Sequence, residues 1–169
     1  MAKPNQDYNS NVKRCLSMKN GLKLEEPNDN LAHAYIDKAK SALNILDSSI
    51  EKGEQDWIAT TAYYARYNAL YALFNKCGLK SEIHDCSISA MKFLFVDEKV
   101  IEDSYFEDLE KAKFIRVQAQ YYVAEESNLE KIRANSEKAR DFVLRIEEIL
   151  TKIDKKDITE IRDKLSKIK

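Results

Sequence analysis

Apolar residues along this chain recur with the 3.6-residue period of a helix almost throughout. After a polar lead-in over residues 1–27, Asn11 to Met18 predicts a brief helix that Asn20-Gly21 stops. Pro27, Asn28, Asp29 and Asn30 then supply N-cap side chains for a helix from Leu31 to Glu51. Its inward row is read as Leu31, Tyr35, Ala39, Ala42, Leu46 and Ile50, and Gly53 ends it. The next helix, Gln55 to Cys77, is different in kind. From Trp57 to Leu73 it reads WIATTAYYARYNALYAL, apolar or aromatic nearly all round, so it has no face to give to solvent and belongs at the centre. Ala59, Ala62, Ala65, Ala69 and Ala72 form a small-residue flank for close approach of a neighbour, and Gly78 suits the residue after the helix.

Past a polar loop, Leu79 to Glu82, a helix from Ile83 to Phe95 points Ile88, Met91, Leu94 and Phe95 inward. A link with Asp97, Glu98 and Lys99 leads to a helix from Ile101 to Val123. Ser127 and Glu130 read as a capping box opening a helix that carries Ile132, Ser136, Ala139, Val143, Ile146, Leu150 and Ile153. Asp157 to Glu160 reads as the cap of a last short helix with Ile158, Ile161, Leu165 and Ile168 on one stripe. The predicted fold is therefore all-α: an antiparallel bundle of four to five main helices over residues 28–153, a lead-in over 1–27, and a C-terminal helix over 154–169 packed on or extending the bundle.

Composition sharpens this picture. Only 3 glycines and 2 prolines occur in 169 residues, about a quarter of ordinary usage, so the frequent turns of a sandwich or an open α/β sheet are excluded. With 28 basic against 29 acidic residues no global field attracts nucleic acid, and phosphate binding has to rest on local clusters. Cys15, Cys77 and Cys86 show no metal-ligand or CxxC spacing and read as reduced thiols of an intracellular protein. The polar N-terminus and the lack of a long apolar run predict a cytoplasmic chain without a membrane segment.

Candidate chemistry lies in polar groups on stripes that should be buried. Arg116 interrupts the row Tyr105, Leu109, Ala112, Ala119, Val123, so it is paired, lines a cleft, or meets a second subunit. Arg66 sits between Ala62 and Ala69 on the small-residue flank, where an interhelix salt bridge competes with a binding role. Tyr63, Tyr64, Tyr67 and Tyr71 share one helix, and Tyr121 and Tyr122 follow Arg116. Phenols suit clefts and interfaces as well as cores. His84, beside Asp85 and four residues after Lys80, stands at a helix start, where the dipole favours neutral imidazole. It is a candidate base or phosphate contact, or a packing residue. No metal-binding histidine motif, phosphate loop or catalytic triad is present, and no cofactor is implied.

The run YYARYNALYALFNKCGLKSEIH, Tyr63 to His84, resembles the second helix and following loop of HEPN-domain proteins (higher eukaryotes and prokaryotes nucleotide-binding). The lead-in from Cys15-Leu16 to Pro27, with Ala34-Tyr35 and Ala39, is similar to prokaryotic members. The resemblance implies a bundle that forms a homodimer and, in active members, a metal-independent endoribonuclease with an R-x(4–6)-H motif. There the Arg holds phosphate and the His assists attack by a 2′-hydroxyl. Arg116 in RVQAQYYV matches the Arg, but Tyr121 and Tyr122 stand where the His belongs.

A phenol is a poor base at neutral pH beside imidazole. The reading is thus a catalytically degenerate nucleotide- or RNA-binding module. Arg116, Tyr121 and Tyr122 lead its site, with Arg66, Tyr67, Lys80 and His84 as further candidates. A nucleotidyltransferase or antitoxin partner follows from the resemblance alone. The alternatives are a ribonuclease using Arg116 with Tyr121 or His84, and a structural protein-interaction adaptor that offers the apolar stripes of the last two helices.

Overall fold

A computed structural model describes residues 7–121 and 126–168, with side chains omitted at 126–128. Seven α-helices make up nearly all of it: α1 (Tyr8–Ser17), α2 (Asp29–Lys52), α3 (Gln55–Cys77), α4 (His84–Met91), α5 (Asp103–Tyr121), α6 (Glu126–Lys152) and α7 (Lys155–Ser166). α4 runs on into a π-helical turn, Lys92–Val96. Two two-residue strands, β1 (Lys23–Leu24) and β2 (Leu79–Lys80), form an antiparallel ribbon with Lys23 opposite Lys80. The predicted capping box at Ser127 and the helix end at Val123 lie outside the described side chains.

The all-α bundle is as the periodicity requires, and α3 is its axis. Packed against α2, α5 and α6, α3 buries 16 of its 23 residues, including all five flanking alanines. Gly53 and Gly78 close α2 and α3 in the left-handed region, at φ 72° and 67°. At Gly78 a Cβ would also collide with the Arg162 side chain and the Glu25 carbonyl. Only glycine fits there.

Arg66 is the constraint at the centre of the bundle. It is 0% exposed, with Nε donating to Asp108 Oδ2 at 2.7 Å, Nη1 to the Ala62 carbonyl at 2.8 Å and Nη2 to the Asn135 carbonyl at 2.5 Å. Asn135 Nδ2 in turn donates to Asp108 Oδ1 at 3.3 Å. One guanidinium thus binds α3, α5 and α6, and it is closed to any ligand. That corrects its place among the candidate binding residues in favour of the interhelix salt bridge.

Four further expectations are corrected. On α2 the core row is Ala32, Ile36, Ala39, Leu43 and Leu46, while Leu31 and Ile50 are exposed. Two adjacent rows both satisfy the helical period, and the row one residue along faces α3 and α6. At α7 the cap is Asp154, whose carboxylate accepts from the Lys156 and Asp157 amides while Asp157 reaches back to the Asp154 amide. Asp157 is therefore the third residue of the helix, not its cap.

Cys15 and Cys86 are joined in a disulfide across 71 residues, with Cα atoms 5.6 Å apart, because α1 packs on α4. Sequence spacing could not reveal a pair made by tertiary docking. Cys77 alone keeps its thiol, buried and with its pKa pushed up to about 12 by desolvation. Finally, Ile161 and Leu165 are buried against the bundle. Arg162 Nη1 donates to the carbonyls of Glu25, Cys77 and Gly78, and Lys164 to that of Phe93. The stripe of the last helix is therefore occupied by the bundle and is not offered to a partner.

Two stability outcomes follow. Removing Arg66 alone strands the Asp108 carboxylate, so Arg66→Ala is expected to lose about 3–5 kcal/mol in urea unfolding, and Arg66→Met with Asp108→Leu to regain most of it. Cys15→Ser is expected to cost about 2–4 kcal/mol. Added reductant should lower the melting temperature of the parent protein to that of Cys15→Ser and leave the variant unmoved.

Candidate functional site

The β ribbon sets the start of α4 beside the middle of α3. Ser81 Oγ accepts from the Ile83 amide at 3.2 Å, and His84 is the first residue of α4. Its ring lies flat on Tyr67, centroids 4.0 Å apart and planes within 8°. The Tyr67 hydroxyl meets Ser87 Oγ at 3.1 Å, and Lys113 of α5 forms an ion pair with Asp85. These contacts fasten α4 to α3 and α5, and the disulfide at Cys86 ties it to α1.

His84 Nδ1 lies 2.5 Å from the hydroxyl of Tyr63, which is fully buried. Burial raises the pKa of Tyr63 far above the ordinary phenol value, so its proton stays on oxygen. Nδ1 is the hydrogen-bond partner of that hydroxyl, and a buried donor left unmade is costly, so Tyr63 donates and Nδ1 accepts. Neutral His84 then carries its proton on Nε2. The pKa of His84 is lowered by burial first, then by the charges of Arg116 and Lys113, so the neutral ring dominates at pH 7. The imidazole is a hydrogen-bond donor at Nε2, not a free base.

Arg116 approaches the same rings from α5. Its guanidinium carbon is 5.0 Å from the Tyr63 centroid and 5.8 Å from that of Tyr64, and Nη1 donates a long 3.4 Å bond to the Tyr64 hydroxyl. Nε is buried without an acceptor. His84 lies 5.7 Å from Tyr63 and 6.4 Å from Tyr64, ring to ring. Arg116 and His84, 32 residues apart in sequence, therefore flank one pair of phenols. An under-used guanidinium beside a neutral imidazole N–H is an arrangement suited to an anion.

Beside them a cleft of about 490 Å³ opens between α2 and α3. Tyr64, Asn68 and Tyr71 line it from α3, and Tyr35, Lys38 and Ile45 from α2. Tyr35, read from the sequence as a core position, is part of this wall. Tyr35 and Tyr71 are 5.3 Å apart, Tyr67 and Tyr71 5.1 Å, giving a continuous aromatic lining.

Of the residues singled out from sequence, the structure gathers Arg116, His84 and Tyr67. Tyr121, 75% exposed, stands on the last turn of α5, five residues and so about 140° around the helix from Arg116. Tyr122 lies outside the described residues. Lys80 pairs with Glu25 at 3.3 Å and does not line the cleft. The sequence reading placed Tyr35 in the core row and did not single out Lys38 or Asn68, polar residues that are ordinary within a helix. Among the described residues no cluster of His, Cys, Asp or Glu is placed to hold a metal ion, and no helix is long and apolar enough to cross a membrane.

The His84 environment has a pH signature. Because the folded-state pKa lies below the unfolded value near 6.5, the unfolded chain takes up the proton first as pH falls. Stability therefore drops below about pH 6.5 and levels off beneath the folded pKa. His84→Asn keeps an acceptor for Tyr63 without the titration. Its urea midpoint is expected to fall less than that of the parent protein between about pH 7.5 and 5.5. Equal falls would place the effect elsewhere.

No curated protein matches the chain significantly. Residues 32–157, which include α3, α4, α5 and all of the residues that line the cleft, match the HEPN domain. On that match, spanning most of its length, the chain belongs to the HEPN-domain family.

Proposed function

We propose that this HEPN domain binds RNA or a nucleotide, holding phosphate between Arg116 and His84 and stacking bases along the tyrosine cleft, without ordinary ribonuclease turnover. Family membership already sets the coarse class, a nucleotide-binding or RNase-type module. The hydrogen bond between Tyr63 and His84 Nδ1 carries the finer reading, because it makes Nε2 a donor. A donor beside Arg116 binds a phosphate oxygen. It does not take a proton from a 2′-hydroxyl. Aromatic walls suit bases without regard to sequence.

A homodimer is part of this reading. Phe114 and Tyr121 lie seven residues apart on one face of α5, and both are largely exposed. Trp57, also exposed, is at the same end of the bundle, where Gln120 bonds Thr60. Large apolar side chains left in solvent together support an interface between copies.

The second reading is metal-independent cleavage, favoured by the convergence of His84 on Arg116, which restores an Arg–His pair by a route other than the family motif. It requires the Tyr63–His84 hydrogen bond to reverse.

Single-stranded RNA incubated in EDTA discriminates the two. Retention of uncut RNA is expected, reduced about ten- to a hundredfold by Arg116→Ala and weakened by salt. Bound phosphate favours a second proton on His84, at Nδ1, with the Tyr63 hydroxyl turning to accept it, so retention should strengthen from about pH 7.5 to 6 in the parent protein and not in His84→Asn. Products ending in 2′,3′-cyclic phosphate, lost in Arg116→Ala, would favour cleavage. Absence of both retention and cleavage would end the RNA reading.

A further inference from the structure

Asn68 is 7% exposed, faces the α2–α3 cleft, and makes no side-chain hydrogen bond with any described residue. Its neighbours behave otherwise. On α3, Thr61 donates to the Trp57 carbonyl at 2.6 Å and Asn75 to that of Tyr71 at 2.7 Å; on α2, Ser49 donates to that of Ile45 at 2.9 Å. Each of those groups is satisfied by the turn before it. The residue is nine-tenths buried, and its amide, engaged with no group of the fold, is left to the water of the cleft. Such a group aimed into an aromatic cleft is a reading head awaiting a complementary edge.

We propose that the cleft is a base-selective pocket for an adenine nucleotide, with Asn68 reading the edge of the base; the inference rests on the nucleotide reading above and names its substrate class. A carboxamide offers one acceptor and one donor side by side. Adenine presents the matching pair on either side of its amino group, and asparagine pairs with it through two parallel hydrogen bonds.

Glu82, whose carboxylate also lines the cleft, accepts from an amino group and repels the carbonyl that guanine and uracil place there. The rings of Tyr64 and Tyr71 supply stacking area for a purine; Lys38 lines the cleft and Arg116 packs on Tyr64, each a cation for its phosphate. The volume of about 490 Å³ accommodates a mononucleotide. Cytosine shares the amino group but has half the rings to stack.

The test is competition of AMP, GMP, CMP and UMP against a fluorescent oligoadenylate, with the full chain and with Asn68→Leu. AMP is expected to compete at least about tenfold better than GMP or UMP. Asn68→Leu should reduce that preference, leaving only what Glu82 contributes, while keeping the salt-dependent, Arg116-dependent part of the affinity. Because the amide bonds to nothing in the fold, removing it should leave the melting temperature equal to or above that of the parent protein. A lower melting temperature would mean the amide is satisfied within the fold, and the inference would fall. Equal competition by all four nucleotides, or an adenine preference untouched by Asn68→Leu, would also overturn it and leave the nucleotide reading standing. Failure of the parent protein to retain any nucleotide would sink both.

Discussion

A charged group with no access to water leaves little freedom to what surrounds it, and Arg66 is that group here. Its three donor contacts reach the side chain of Asp108 on α5, a carbonyl on α6 and a carbonyl of its own helix. A sliding or turning of α5 or α6 by one residue would break a pairing that the interior cannot replace. Arg66 therefore sets register more than it adds stability. Arg116 is eight residues beyond Asp108 on the same helix, and Tyr63 and Tyr67 flank Arg66 on α3. The pairing that locks the bundle also decides which guanidinium meets which phenol at the site.

The other half of the site is brought in from the side. Nothing in α4 is long enough to hold position by itself: it has eight residues and no side-chain cap. The ribbon before it, the Tyr67–Ser87 contact, the Lys113–Asp85 ion pair and the Cys15–Cys86 bond supply what it lacks. The outcome is a histidine stacked on one tyrosine and hydrogen-bonded to another, its tautomer dictated by a phenol too buried to ionise.

How much of this could be read from the chain depends on the range of the interaction. The apolar run Trp57 to Leu73 announced a central helix because burial on every side leaves a mark at every position. Gly53 and Gly78 announced helix ends because a left-handed residue is a local demand. Arg116 stood out because it broke a row. The rest was decided by choices between near-equal local options or by distant partners. On α2 two rows share the helical period, and the neighbours select one. Asp154 and Asp157 both suit a cap, and a hydrogen bond decides. Cys15 with Cys86, and Arg116 with His84, are meetings that no spacing encodes. Asn68 carried no signal, since asparagine within a helix is ordinary until its amide is found without a partner.

The carbonyls gathered by Arg162 have an implication for where the folding unit ends. Glu25, before α2, and Arg162, in α7, both lie outside the stretch 32–157 that matches the family, yet they meet at Gly78 in its interior. Cys15, further out still, is bonded to Cys86 beside the histidine. A fragment trimmed to the matched stretch would keep every residue that lines the cleft and lose the two segments that hold α4 and the end of α3 in place. In this chain the recognisable sequence is a subset of the cooperative unit, and the flanks belong to the site as much as to the scaffold.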